Sequence, residues 1–150
     1  MRALVQRVTA ASVSIDGSVH NAIGPGMLIL LGIAHTDTPD DIAWLAPKLA
    51  KLRLFADSAG ALNLTLTEVG GEALLVSQFT LLASTKKGNR PSFLRAAVPA
   101  QALPLYQAFR DALDHQLARP VLTGRFGADM RITLTNDGPV TLWLDSAQRE

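Results

Sequence analysis

A chain of 150 residues, 48% apolar and 18% charged, is long enough to bury roughly 70% of its unfolded surface without covalent staples. It contains no cysteine, which excludes a disulfide frame, a thiolate nucleophile and a zinc-thiolate site. A formal charge of +1 excludes general electrostatic attraction to nucleic acid, so any contact with a polyanion has to come from a local patch.

The length fits one domain, 1–150. The apolar run Met27 to Ala34 is far short of the roughly 20 residues that cross a bilayer. The opening MRALVQRV alternates like a strand and lacks an export signal's apolar region and cleavage site. With no cysteine, these features lead us to expect a cytoplasmic protein and no membrane partner.

Arg2 to Val8 alternates and predicts a first strand. Ala11 to Ile15 and Ser18 to Ile23 flank Asp16-Gly17, a two-residue hairpin signal. Met27 to Ala34 is continuously apolar, as in a strand covered on both faces. Thr38-Pro39-Asp40-Asp41 starts a helix: a capping hydroxyl, a proline at the first position and carboxylates in the first turn. Ile42, Leu45, Ala46 and Leu49 form its apolar stripe, and Pro47 is expected to kink or shorten it. Short strands are expected at Leu52 to Phe55 and Ala61 to Thr67, and a long one from Ala73 to Leu82. Ser84 to Ser92 reads as a basic loop. Pro99 to Leu117 predicts a second helix with Ala102, Tyr106, Phe109, Leu113 and Leu117 on one face. Pro120 to Gly127 reads as a connection. Ala128 to Asp145 reads as two strands joined at Asn136-Asp137-Gly138-Pro139, a hairpin with a stiff tip whose Gly-Pro bond can be cis at modest cost. About eight strands and two single helices predict an α/β fold, a β/β/α three-layer sandwich or partial barrel.

Hydrolytic machinery is mostly missing. His20, His35 and His115 are scattered, and none has metal-ligand spacing to another His or to a carboxylate pair. There is no G-x-S-x-G elbow, HExxH or P-loop. Ser77-Gln78-Phe79-Thr80-Leu81 is different in kind, because polar residues close an apolar strand. In a strand, Gln78 and Thr80 face one way, Ser77 and Phe79 the other. Such an end can present N–H groups and hydroxyls to a ligand. By spacing alone, a strand that surfaces is the simpler reading. Lys86, Lys87 and Arg90 can meet phosphates or stand in solvent, and Arg7 among apolar neighbours is expected to be paired.

Taken together these stretches resemble the D-aminoacyl-tRNA deacylases of the DTD type. The matches run from MRALVQRV (1–8) through LRLFAD with Leu62-Asn63-Leu64, VSQFTL (76–81), KKGNRPSF (86–93), LYQAF (105–109) and GRFGADM (124–130) to NDGPVT (136–141). SQFTL and NDGPVT carry the most specificity. Departures are Ser84, Ala61-Leu62, Pro47 and Pro104.

The resemblance implies a homodimer with active sites at the subunit interface and an aminoacylated tRNA 3′ end as substrate. It implies catalytic roles for Ser77, Gln78, Phe79 and Thr80, and substrate contacts from Gly138, Pro139, Met130, Arg7 and Asn136. The Gly138-Pro139 bond would be cis and reach into the partner's pocket. Lys86, Lys87 and Arg90 would touch RNA, with no metal and no cofactor. The expected reaction is ester hydrolysis of D-aminoacyl-tRNA and glycyl-tRNA, sparing the L form. The substrate's own 2′-hydroxyl is expected to drive the chemical step, with Thr80 as nucleophile the alternative. The alternative function is a tRNA-binding module without catalysis.

Overall fold

A computed structural model describes residues 1–149. Chain order is β1 (Arg2–Ile15), β2 (Ser18–Ile23), β3 (Gly26–Gly32), α1 (Pro39–Ala50), β4 (Phe55–Ala56), β5 (Leu62–Leu64), β6 (Glu72–Ser77), a 3-10 turn (Phe79–Leu82), α2 (Pro99–Leu117), β7 (Leu122–Thr123) and β8 (Met130–Asp145). β4 and β5 form a small separate ribbon. The other six strands form one sheet in the order β2-β1-β3-β6-β7, with β8 also on β1. The Asn21 side chain donates to the Thr123 carbonyl at 2.6 Å, bridging β2 to β7 and curling the sheet into a nearly closed barrel. The mixed α/β expectation of about eight strands and two helices is met.

Local signals account for the regular elements. Asp16 and Gly17 take φ of 52° and 80°, the turn that Asp-Gly favours. Thr38 caps α1 in a full capping box, its N–H donating to the Asp41 carboxylate at 2.8 Å. Pro47 does not shorten α1: the helix runs on to Ala50 at the loss of the one backbone bond that the missing N–H would make to Ala43. Pro104 is likewise carried inside α2, which ends at Ala118 in the left-handed region.

Three expectations fail. The Ala73 to Leu82 strand stops at Ser77 and gives way to the 3-10 turn. β7 pairs in parallel with β6, where a plain connection was expected; two residues are too few to leave a period-2 trace. Most consequentially, Ala128 to Asp145 is no hairpin. β8 is one strand, antiparallel to β1 from Ile15↔Met130 to Arg2↔Asp145. Two alternating runs around Asp-Gly look alike whether the chain reverses or bulges. The neighbouring strand decides, and β1 runs unbroken alongside both halves.

This pairing also moves the core from one face of the sheet to the other. Ala3 and Val5, opposite Leu144 and Leu142, pack with the helices. Ala11 and Val13, opposite Leu134 and Ile132, pack inside the barrel with Val8, Ile23, Leu28, Leu74 and Val76. A regular strand would keep Val5 and Ala11 on one face. Irregularities between Gln6 and Val8 and between Val8 and Ala10 switch them. β3 and β6 serve both cores at once, Met27, Ile29, Ala73 and Leu75 on the helix side and Leu28, Leu74 and Val76 on the other, which is why they read as continuously apolar. Each fully buried leucine here stabilises the fold by about 1.5–3 kcal/mol.

The first residue is tied into this frame. The Met1 α-ammonium donates to Asp37 Oδ1 at 2.6 Å and to Ser146 Oγ at 2.7 Å. Asp37 Oδ2 accepts the Ala34 N–H at 2.7 Å, and the Ser146 hydroxyl donates to Asp41 at 2.5 Å. Burial pushes the Asp41 carboxyl up, but the Ser146 hydroxyl, the Thr38 N–H and the ammonium outweigh it, leaving the carboxyl below its ordinary value. The Asp41 contribution is therefore present above the usual carboxylate pKa of about 4 and is lost as pH falls through the depressed value. Replacing Asp37, whose side chain is 4% exposed, leaves a buried charge unpaired. Asp37→Ala is expected to cost about 3–5 kcal/mol in urea unfolding; a loss below about 1 kcal/mol would refute the ion pair's importance.

Candidate active site

At the C-terminal end of β6 the surface opens into a cleft of about 610 Å³. Ser77, Gln78 and Phe79 form one wall. The start of α2, from Val98 to Ala102, forms a second, and Phe126 to Met130 with Ile132 a third. Phe93 meets Phe79 edge-on at 5.1 Å and an interplanar angle of 72°. Phe126 is braced from behind by Tyr106, whose hydroxyl donates to the Leu75 carbonyl at 2.9 Å. Burial pushes the Tyr106 phenol well above its ordinary value, so it stays a neutral donor. Among the described residues lining the cleft, Asp129 alone carries an ionisable side chain. No group of three His, Cys, Asp or Glu among the described residues lies close enough to hold a metal ion.

The 3-10 turn changes what Gln78, Phe79 and Thr80 offer. The Gln78 N–H is committed to the Leu31 carbonyl at 2.7 Å. Leu81 and Ala83 donate to the carbonyls of Gln78 and Thr80. The first N–H groups of such a turn have no acceptor within it, so those of Phe79 and Thr80 are left over. Of the three N–H groups from Gln78 to Thr80, two are thus uncommitted. The Gln78 amide donates to Thr80 Oγ1, so these side chains do share a side, but through a turn and not a strand. Thr80 is exposed and does not line the cleft.

Arg7, Asn136, Gly138 and Pro139 gather elsewhere. Four residues, Asp137 to Val140, stand opposite Arg7 alone, because Gln6 pairs with Thr141 and Val8 with Asn136. The surplus forms a bulge whose exposed tip is Gly138-Pro139, joined by a cis peptide bond, with φ of 121° at Gly138. Arg7 grips its base: Nε lies 3.2 Å from the Asp137 carbonyl and 3.0 Å from its carboxylate, and Nη1 donates to the Leu54 carbonyl at 2.5 Å. The Asn136 amide closes it by donating to the carbonyls of Arg7 at 2.9 Å and Val140 at 3.0 Å. Arg7 is thus paired, as expected of a cation among apolar neighbours.

The two groups do not meet within one chain. Arg7 is level with Met27 and Ala73, four residues short of Ser77 on β6. That is about 13 Å along the strands, with three strand spacings of about 4.8 Å each between β8 and β6. Met130, alone among the expected substrate contacts, lies in the cleft with Ser77, Gln78 and Phe79. Lys86, Lys87 and Arg90 stand exposed on a loop closed at its neck by paired hydrogen bonds of 2.9 Å between Ser84 and Ser92. Phe93 follows that neck directly. Sequence reasoning missed Phe93, Ala102, Phe126 and Asp129 as cleft residues; only the motif segments holding Phe93, Phe126 and Asp129 pointed towards them.

Residues 4–145 match the family model described as D-Tyr-tRNA(Tyr) deacylase. The chain belongs to this deacylase family. It is similar to the D-aminoacyl-tRNA deacylases of Parabacteroides distasonis (55% identity) and Akkermansia muciniphila (54%), each covering 100% of both chains. A solved structure named "c-Myc DNA Unwinding Element Binding Protein" superposes with a TM-score of 0.91 at 40% identity, over 97% of this chain and 98% of that one. A probable eukaryotic D-amino acid tRNA deacylase shares the fold, with a TM-score of 0.81 at 15% identity over 95% and 97%. Membership makes the chain a hydrolase of the deacylase type. Among the described residues no helix is long and apolar enough to cross a membrane.

Proposed function

We propose that the protein hydrolyses the ester joining a D-amino acid to the 3′-terminal adenosine of tRNA, and that it treats glycyl-tRNA likewise. The supporting observation is the composition of the cleft: apolar and aromatic walls for an unpaired nucleotide, the uncommitted Phe79 N–H with that of Thr80 next to it in the chain, and no histidine among the described lining residues. The N–H groups of Phe79 and Thr80 are suited to the oxyanion that develops as the carbonyl is attacked.

A second copy of the chain supplies the handedness filter. Gly138-Pro139 is exposed and held stiffly midway along β8, level with the start of β6. The outer edge of β8 is unpaired among the described residues, and Phe79, Leu94 and Val98 around the cleft are 56%, 89% and 64% exposed. Open strand edges and clustered apolar side chains favour a partner. Delivered across the interface, the Gly138 and Pro139 carbonyls accept the substrate's α-ammonium. The Cα hydrogen and side chain exchange places between enantiomers. An L side chain then runs into the Gly-Pro backbone, while a D side chain points out. Exclusion acts on shape alone, so glycine passes.

Water is activated by the substrate's 2′-hydroxyl, because no side-chain base stands ready to activate Thr80. Lys86, Lys87 and Arg90 hold the RNA backbone near the cleft mouth through charge.

The purified protein should release D-Tyr from D-Tyr-tRNA and leave L-Tyr-tRNA intact; no turnover of either at high enzyme, with tight binding of uncharged tRNA, would favour a binding module instead. Against the same substrate, the triple variant K86A/K87A/R90A should raise KM and flatten its salt dependence, and an unchanged KM would remove the loop from the interface.

Mixing tests the shared site. A cleft variant, Ala102→Phe, and a tip variant lacking Gly138-Pro139 should each be inactive alone. Mixed dimers then hold one intact site and should recover activity; absence of recovery despite verified exchange would confine each site to one chain.

Thr80→Ala separates the mechanisms. Substantial residual turnover is expected, along with loss of cleavage on tRNA ending in 2′-deoxyadenosine. The reverse pattern would make Thr80 the nucleophile.

A further inference from the structure

Gly124 follows β7 directly, and its N–H donates to the Leu75 carbonyl at 3.2 Å. The Tyr106 hydroxyl holds that same carbonyl from the α2 side. A Cβ placed on Gly124 would lie 2.5 Å from Met130 Sδ, inside van der Waals contact, and 3.7 Å from Met130 Cε and Val13 Cγ2. Gly124 is not among the glycines with positive φ, so its backbone imposes no need for glycine. The notch left by the missing methyl is what this position provides, and the Met130 thioether fills it.

We propose that Gly124 sets the working width of the cleft by giving Met130 a place to retract, so that Gly124 is a positioning residue for substrate entry. Met130 lines the cleft, and behind the notch Val13 is 0% exposed in the barrel core. A methyl at position 124 therefore displaces the thioether towards the open side. Methionine's three rotatable bonds make that movement easy, so the cost falls on the space left for substrate and not on the fold.

The inference rests on the deacylase reading for its kinetic arm only. The chain has three methionines, and Met1 and Met27 are 1% and 0% exposed. In protein carrying methyl-13C methionine, Gly124→Ala should shift the Met130 methyl resonance and leave the other two in place. With D-Tyr-tRNA, Gly124→Ala should raise KM about tenfold or more with kcat within about threefold, as expected for one methyl's worth of space in an apolar pocket. With the thioether removed the added methyl has nothing to displace, so G124A/M130A should share the KM of M130A, and Tm should change little in G124A. An unmoved Met130 resonance, an unchanged KM in Gly124→Ala, or a KM of G124A/M130A well above that of M130A would overturn the proposal. Failure of wild-type protein to cleave D-Tyr-tRNA would overturn the deacylase reading alone, with the methyl spectrum still deciding the role of Gly124.

Discussion

The antiparallel ladder between β1 and β8 is the constraint on which the rest of the molecule depends. Both strands have to feed two different cores, one under the helices and one inside the barrel. Side chains alternate strictly, so a strand changes its buried face only where its regular repeat is interrupted. β8 makes the change with surplus residues opposite Arg7, and that surplus carries Gly138 and Pro139. The exposed dipeptide is thus a by-product of a packing requirement. Arg7 and Asn136 hold its base through main-chain carbonyls, which makes the tip stiff without fixing any side chain at its end.

The cleft is built on a complementary logic. β6 is covered on both faces until Ser77 and then stops abruptly in a 3-10 turn. Stopping there leaves the Phe79 and Thr80 N–H groups without partners at a place where a longer strand would have paired them. Around them the walls are apolar, and Asp129 is the one titratable side chain on the lining among the described residues. Such a site is suited to binding, orienting and stabilising charge with main-chain dipoles.

The stiff main-chain tip lies midway along β8, level with the start of β6, while the cleft opens at that strand's other end. The open edge of β8 and the exposed apolar residues around the cleft are surfaces left uncovered among the described residues. The Met1 network serves a different end, pinning the start of β1 to the Asp37 loop and to Ser146, so that the β1–β8 ladder is anchored where both strands reach the chain ends.

Local information in the sequence determined the capped start of α1, the Asp16-Gly17 turn, both helices with their buried faces, and the doubly covered β3. Each depends on neighbours within a few residues. The motif pair SQFTL and NDGPVT also marked the wall of the cleft and the bulge on β8. Tertiary structure alone decided that Asn136 to Pro139 is a bulge and not a turn, because only the continuity of β1 distinguishes them. It likewise decided that SQFT leaves the strand and that Met130 faces the cleft while Gly138 does not, since those facts depend on which distant segments end up side by side.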